Sequence, residues 1–217
     1  MTLALFDLDN TLLSGDSDYA WGEFLVEKGI VDAQYYAHKN AQHFEDYKAG
    51  KLDMDKFIEF QLEPLKSNPR DLLEDIRVLF LREVIQPMIS YRARSLVHDH
   101  RQQGHTLIII TATNRFITQP IAQEFGIEQL IATEVEEING AFTGKTFDIP
   151  SFSEGKVTRL KAWLENNEEN LEGSWFYSDS HNDLPLLNLV DNPVALNPDT
   201  VLRKEAERRQ WRIVEWL

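Results

Sequence analysis

The chain has 217 residues, 42% of them hydrophobic and 27% charged, with ten glycines, eight prolines and no cysteine. This is a globular composition, long enough to bury a core without a disulfide or metal staple, and it excludes thiolate catalysis, disulfide scaffolds and cysteine–zinc sites. The net charge of −14 repels phosphate backbones and anionic bilayers, so neither nucleic acid nor a membrane is an expected partner; a small phosphorylated substrate stays open if a divalent cation reverses the local sign.

No basic segment leads into a long apolar run, and no stretch of about 20 apolar residues occurs. The expected compartment is therefore the cytoplasm. Leu3-Ala4-Leu5-Phe6 is a short apolar run closed by acidic residues, as in a buried parallel strand. Residues 16–86 are helical in pattern. Ser17 is placed to cap a helix with Trp21, Phe24 and Leu25 on one face and Gly29 as its stop. Asp32 caps a second that closes at Gly50, and Asp53 caps a third bearing Met54, Phe57 and Ile58. Asn68-Pro69 reads as a cap before a proline at the first helical position, opening a fourth helix through Leu72, Ile76 and Leu79. This block reads as an all-helical insertion.

Alternation then resumes. Ser90 opens a helix ending at Gly104, residues 106–110 form a strand, and a helix with Ile117, Ile121 and Phe125 runs to Gly126. Residues 130–133 read as a strand and 135–147 as a hairpin with a primed turn at Asn139-Gly140. A helix over 156–164, a strand over 174–177, a short helix over 183–190, a strand over 193–196, a charged helix from Thr200 and a last strand over 211–216 complete the chain. The expected fold is α/β, a Rossmann-like three-layer parallel sheet core with an inserted all-helical cap domain. Its expected domains are a core of residues 1–14 and 88–217 and a cap of residues 15–87.

Chemistry-bearing residues gather at strand ends, where open α/β sheets bind their ligands. The first strand runs into Asp7-Leu8-Asp9-Asn10-Thr11, whose two carboxylates can aim into one pocket, although alone such a pair could equally cap a turn. The strand over 106–110 ends in Thr111-Ala112-Thr113-Asn114, a hydroxyl and small residues that can wrap a phosphate. The strand over 174–177 ends in Ser178-Asp179-Ser180-His181-Asn182-Asp183, and Lys156 opens the helix before it. A nucleophile, a cation and surrounding donors are what phosphoryl transfer requires.

These four segments, in this order, resemble the four motifs of the haloacid dehalogenase-like hydrolase superfamily, in its phosphoserine-phosphatase-like branch with a helical cap after the first motif. The resemblance covers nearly the whole chain and implies a phosphomonoesterase. Asp7 would be the nucleophile that forms an aspartyl-phosphate. Asp9 would protonate the leaving alkoxide and then activate water. Thr111, with Ala112 beside it, and Lys156 would hold the phosphoryl oxygens, and Asn182 would contact substrate. The implied cofactor is Mg²⁺, bound by Asp7, the backbone carbonyl of Asp9 and Asp179, with Asp183 behind them. Transfer to an alcohol acceptor and a non-catalytic binding role on the same fold are the alternatives.

In the same branch an acid nine residues after the nucleophile grips the substrate amine; here that residue is Asp16, an aspartate where the branch has glutamate. Asp18 and Glu23 add negative charge nearby, so a cationic substrate is expected; the resemblance extends to histidinol-phosphate phosphatases, whose substrate is cationic and lacks a carboxylate, and this implies histidinol phosphate ahead of phosphoserine. A substrate carboxylate would want an arginine, and Arg70, Arg77 and Arg82 are the ones available. The expected assembly is a monomer or homodimer. His38, His43, His98, His100 and His105 read as surface histidines, His181 as a possible rim residue, Trp21, Phe24 and Leu25 as core, and the acidic run 165–172 as a solvated loop.

Overall fold

The structure, a computed structural model, describes residues 1–48, 51 and 53–216. Strand β1 (Leu3–Phe6) is followed by helices α1 (Ser17–Glu27), α2 (Ala33–Lys48), α3 (Met54–Ser67) and α4 (Arg70–Phe80), a π-helical turn (Leu81–Ile85), the short α5 (Gln86–Met88) and α6 (Tyr91–Gln102). Then come β2 (Thr106–Asn114), α7 (Arg115–Glu124), β3 (Gln129–Thr133), the hairpin β4 (Val135–Ile138) and β5 (Ala141–Thr146), and α8 (Glu154–Asn167). The chain closes with β6 (Trp175–Ser178), a 3₁₀ turn (His181–Asp183), α9 (Leu184–Leu187), β7 (Asn192–Leu196), α10 (Thr200–Arg209) and β8 (Arg212–Val214). Among the described residues no helix is long and apolar enough to cross a membrane.

Six strands pair in parallel in the order β3-β2-β1-β6-β7-β8, and β4-β5 stands apart as an antiparallel ribbon. Alternation along the strands divides the interior in two. Ala4, Phe6, Ile109, Tyr177 and Val194 face α6, α7 and the inserted helices, whereas Leu5, Ile108, Ile110, Phe176 and Ala195 face α8, α9 and α10. The Rossmann-like three-layer arrangement follows. The first of these cores runs without a break into Trp21, Leu25, Leu65, Leu73 and Phe80 of the inserted helices. Trp21 meets Phe80 edge-on at 5.1 Å and Phe116 at 6.0 Å, so α1 and α4 are anchored to the α7 side of the sheet.

Most sequence signals act as expected: Asp53 and Ser90 cap α3 and α6, and Asn139 and Gly140 both take positive φ in the hairpin turn. Gly50, the expected end of α2, lies outside the described residues. Five readings need correction. Asp16, not Ser17, caps α1, because its Oδ1 accepts from the amides of Asp18 and Tyr19 while the Ser17 amide turns to Asp9. Pro69 occupies the cap position of α4; Asn68 is extended, as a residue before proline must be, and its amide closes α3 on the Pro64 carbonyl. Strand β2 continues to Asn114, which pairs with Thr133 beyond a shift of register. The acidic run is no simple loop, since α8 extends to Asn167 and Glu169 pairs with the amino group of Met1 at 2.9 Å. Finally, His100 is buried, bonded through Nδ1 to His105 Nδ1 and through Nε2 to Tyr177 Oη, both at 2.8 Å; the aromatic face it enters between Phe6 and Trp175 is invisible to helical spacing.

Candidate active site

Strand β1 sits where crossovers diverge, with β2 on one side and β6 on the other, and at such a switch point a crevice opens beyond the strand ends. The backbone stays in the sheet through Asp7, whose amide donates to the Tyr177 carbonyl at 2.9 Å. It then coils tightly: the Leu8 carbonyl accepts from the amides of Thr11, Leu12 and Leu13, and Asn10 adopts φ 57, a left-handed conformation that asparagine tolerates. This coil brings the carboxyls of Asp7 and Asp9 to one cavity of about 310 Å³, a size suited to a small ligand.

Lys156, in the first turn of α8, reaches the floor of that cavity. Its Nζ donates to Asp7 Oδ1 at 2.7 Å and to Asp183 Oδ2 at 2.8 Å, with all three side chains buried. The helix can approach because of Gly155, where a Cβ would lie 2.0 Å from the Pro150 carbonyl oxygen. Asp183 is fixed from behind by the Ser178 hydroxyl at 2.7 Å. Thr11 Oγ1 lies between two acids, 3.3 Å from Asp7 Oδ2 and 3.4 Å from Asp179 Oδ1. Asp9 is held separately: Oδ1 accepts from the Ser17 amide at 2.7 Å, and Oδ2 accepts from Thr113 Oγ1 at 2.8 Å and Thr111 Oγ1 at 3.5 Å.

Burial dominates the electrostatics. It raises the Asp7 carboxyl to about 6, Lys156 partly offsetting the rise and Asp183 adding to it. Burial and then the charge of Asp16 raise Asp9 to about 7. Burial and the charge of Asp7 raise Asp179 to about 8. Desolvation works against the Lys156 ammonium, but Asp183 and Asp7 outweigh it and hold the group above the ordinary lysine value. Four carboxyls, Asp7, Asp9, Asp179 and Asp183, thus share one ammonium among the described residues of the cavity.

That imbalance is what a divalent cation relieves. Among the described residues no three acidic or histidine side chains close on one point. The available donors are the carboxylates of Asp7 and Asp179, which lie on either side of Thr11 Oγ1 at 3.3 and 3.4 Å. Mg²⁺ keeps several of its own waters and binds through one or two carboxylates, so a sparse all-oxygen set fits it.

The residues expected to act as nucleophile, acid–base group, phosphate, metal and amine ligands all lie on this cavity: Asp7, Asp9, Asp16, Thr111, Ala112, Lys156, Asn182, Asp179 and Asp183. Asp16 is exposed, and one of its oxygens is engaged in capping α1. His181 does not line the cavity and instead pairs with Asp199 at 2.7 Å. The three arginines are also elsewhere: Arg70 pairs with Glu74 and Glu137, Arg77 reaches the Phe116 carbonyl and Glu74, and Arg82 pairs with Glu83. Sequence reading passed over Thr113, although its position two residues beyond Thr111 on a strand places both hydroxyls on one face. It also passed over Gln61 and Phe152 as cavity residues, whereas of the two acids expected near Asp16, Asp18 lines the cavity and Glu23 does not. Phe152 belongs to a loop tied down by Thr133, whose hydroxyl donates to the Ala112 carbonyl at 2.6 Å and accepts from the Ser151 amide at 3.0 Å.

Comparison with known proteins agrees with this fold. The family model described as haloacid dehalogenase-like hydrolase matches residues 4–188. A histidinol-phosphatase of Neisseria meningitidis serogroup C is 44% identical over 99% of this chain and 98% of its own length. A solved protein of unknown function from Bordetella pertussis Tohama I superposes with a TM-score of 0.94 at 41% identity, covering 99% of both chains. A phosphoserine phosphatase structure representing a phospho-aspartyl intermediate analogue shares the fold, with a TM-score of 0.69 at 17% identity over 98% of this chain and 92% of that one.

Proposed function

We propose that this chain, which belongs to the haloacid dehalogenase-like hydrolases, is a phosphomonoesterase for small cationic amino-alcohol phosphates, histidinol phosphate foremost. Asp7 attacks phosphorus, forming an aspartyl-phosphate as the bond to the leaving oxygen breaks; the protonated Asp9 carboxyl passes its proton to that oxygen. Asp9, now a carboxylate, then takes a proton from the water that attacks the same phosphorus, and Asp7 is released together with inorganic phosphate. Dividing the displacement in two lowers each barrier, and one carboxyl serves as acid and then base. The upward shift of Asp9 by burial and Asp16, to about 7, leaves about half of it protonated for the first step at neutral pH. Lys156 and Thr111 hold the phosphoryl oxygens, and Lys156 also orients Asp7. Mg²⁺, held by Asp7, the Asp9 carbonyl and Asp179 with Asp183 behind, would supply the positive charge that lets a carboxylate approach a phosphate. Residues 15–87 act as a cap over the leaving-group side, contributing Asp16, Asp18 and one face of α3 to the cavity.

The observation that carries the substrate assignment is the charge pattern of the cavity. Its described lining contains acids at the α1 end, apolar side chains along α3 and no arginine. Its one cation, Lys156, already serves two carboxylates. An amine and the flat face of a ring suit such a lining; an amino-acid carboxylate has no partner in it. The 44% identical relative carries the matching name. Phosphate release from histidinol phosphate and phosphoserine, measured side by side, tests the assignment. Faster turnover of histidinol phosphate is expected, abolished in Asp7→Asn, and equal or faster release from phosphoserine would reverse it.

A further inference from the structure

Five residues of α3 line the cavity: Met54, Phe57, Ile58, Gln61 and Leu62. Their spacing places them on one face of the helix. Four are apolar, so Gln61 is the lone directional polar group on that wall. Its carboxamide makes no hydrogen bond with any described residue, whereas other polar side chains nearby are engaged: Glu63 accepts from Tyr35 Oη at 2.7 Å, Lys56 pairs with Asp53 at 3.0 Å, and Asn68 holds the Pro64 carbonyl. Gln61 is partly buried, and Phe152, which lines the same cavity, makes no ring contact with another described residue.

We infer that Gln61 is a specificity-determining residue that hydrogen-bonds the edge of a nitrogen heterocycle on the leaving group, while Met54, Phe57 and Ile58 cover its face. This rests on the phosphomonoesterase reading and extends it to a subsite. The chemistry favours an azole. A carboxamide offers an N–H donor and a carbonyl acceptor at once, so it can satisfy an imidazole in either neutral tautomer or as the cation. An aliphatic leaving group would use the apolar wall and leave the amide unpaired. A site built to hydrogen-bond a substrate group discriminates strongly against analogues that lack it.

The test compares kcat/KM for histidinol phosphate and ethanolamine phosphate, which retains the amine and the phosphate and lacks the ring. Wild-type enzyme should prefer histidinol phosphate. In Gln61→Leu that preference should fall by about tenfold or more, carried mainly by KM, since a contact made equally in ground and transition states changes binding alone. Gln61→Glu, which retains an acceptor for the imidazolium, should recover much of the preference below neutral pH. An unchanged preference in Gln61→Leu overturns the inference, as does a wild-type enzyme indifferent to the ring; both leave the phosphomonoesterase reading standing. Absence of phosphate release from either compound by wild-type enzyme overturns that reading and the inference with it.

Discussion

Thr113 holds Asp9 Oδ2 at 2.8 Å while the Ser17 amide holds Oδ1, so the proposed acid–base group is clamped on both oxygens. Losing a positioning bond of this kind misdirects proton transfer, a contribution of about 10²–10⁴-fold in all. Thr113→Val should lower kcat by about tenfold to a hundredfold with little change in KM, and Thr113→Ser should recover it; steady-state kinetics on the three proteins decide this. Lys156 differs in that it also supports the fold. Replacing it with methionine leaves Asp7 and Asp183 buried without their shared cation, which should destabilise the metal-free protein by about 3 kcal/mol in urea unfolding. His100 gives a pH signature. Burial, reinforced by His105, lowers it from 6.5 to about 4. Above 6.5 both folded and unfolded chains carry it neutral and no penalty arises. As pH falls from 6.5 to 4 the unfolded chain takes up the proton first, so stability drops by about 1.4 kcal/mol per unit, about 3 kcal/mol in all. Unfolding free energies at pH 7.5 and 4.5 should therefore converge in His100→Gln relative to wild type; an identical pH dependence in both proteins would contradict the assignment.

At the scale of elements, α1 and α2 meet at Gly22, where an added Cβ would lie 1.7 Å from Tyr36 Oη and 2.2 Å from its Cζ. Gly22→Ala must push the helices apart and should cost about 1–3 kcal/mol, despite the better helix propensity of alanine. Combining it with Tyr36→Leu should cost less than the sum of the two, a coupling that chemical denaturation of the four proteins can measure. Helix caps with an acceptor side chain, such as Asp53 and Ser90, were legible because the local chemistry decides them. The start of α1 was misread because a distant partner, Asp9, takes the Ser17 amide. His100 was misread for a related reason: its environment comes from β1 and β6, far away in the chain.

For the whole molecule, the parallel sheet was legible from alternating strands and helices, whereas the order of its strands, with β1 between β2 and β6, comes from the structure. The floor of the cavity was legible because each of its acids follows an apolar strand. The walls were not: Gln61 and Phe152 belong to a helix and a loop whose orientation is fixed by long-range packing, such as the close approach of Lys66 of α3 to Gly144 of β5. The cavity is acidic as the whole chain is, with Asp7, Asp9, Asp179 and Asp183 on the same lining as Lys156. On this account, phosphorus passes through Asp7. Acid-quenching the enzyme during turnover of histidinol phosphate with Mg²⁺ present, then mapping phosphorylated peptides by mass spectrometry, tests that directly. A phosphoryl group on Asp7, missing in Asp7→Asn, is the expected result; phosphate released at full rate by Asp7→Asn, or a phosphoryl group on another residue, would contradict it.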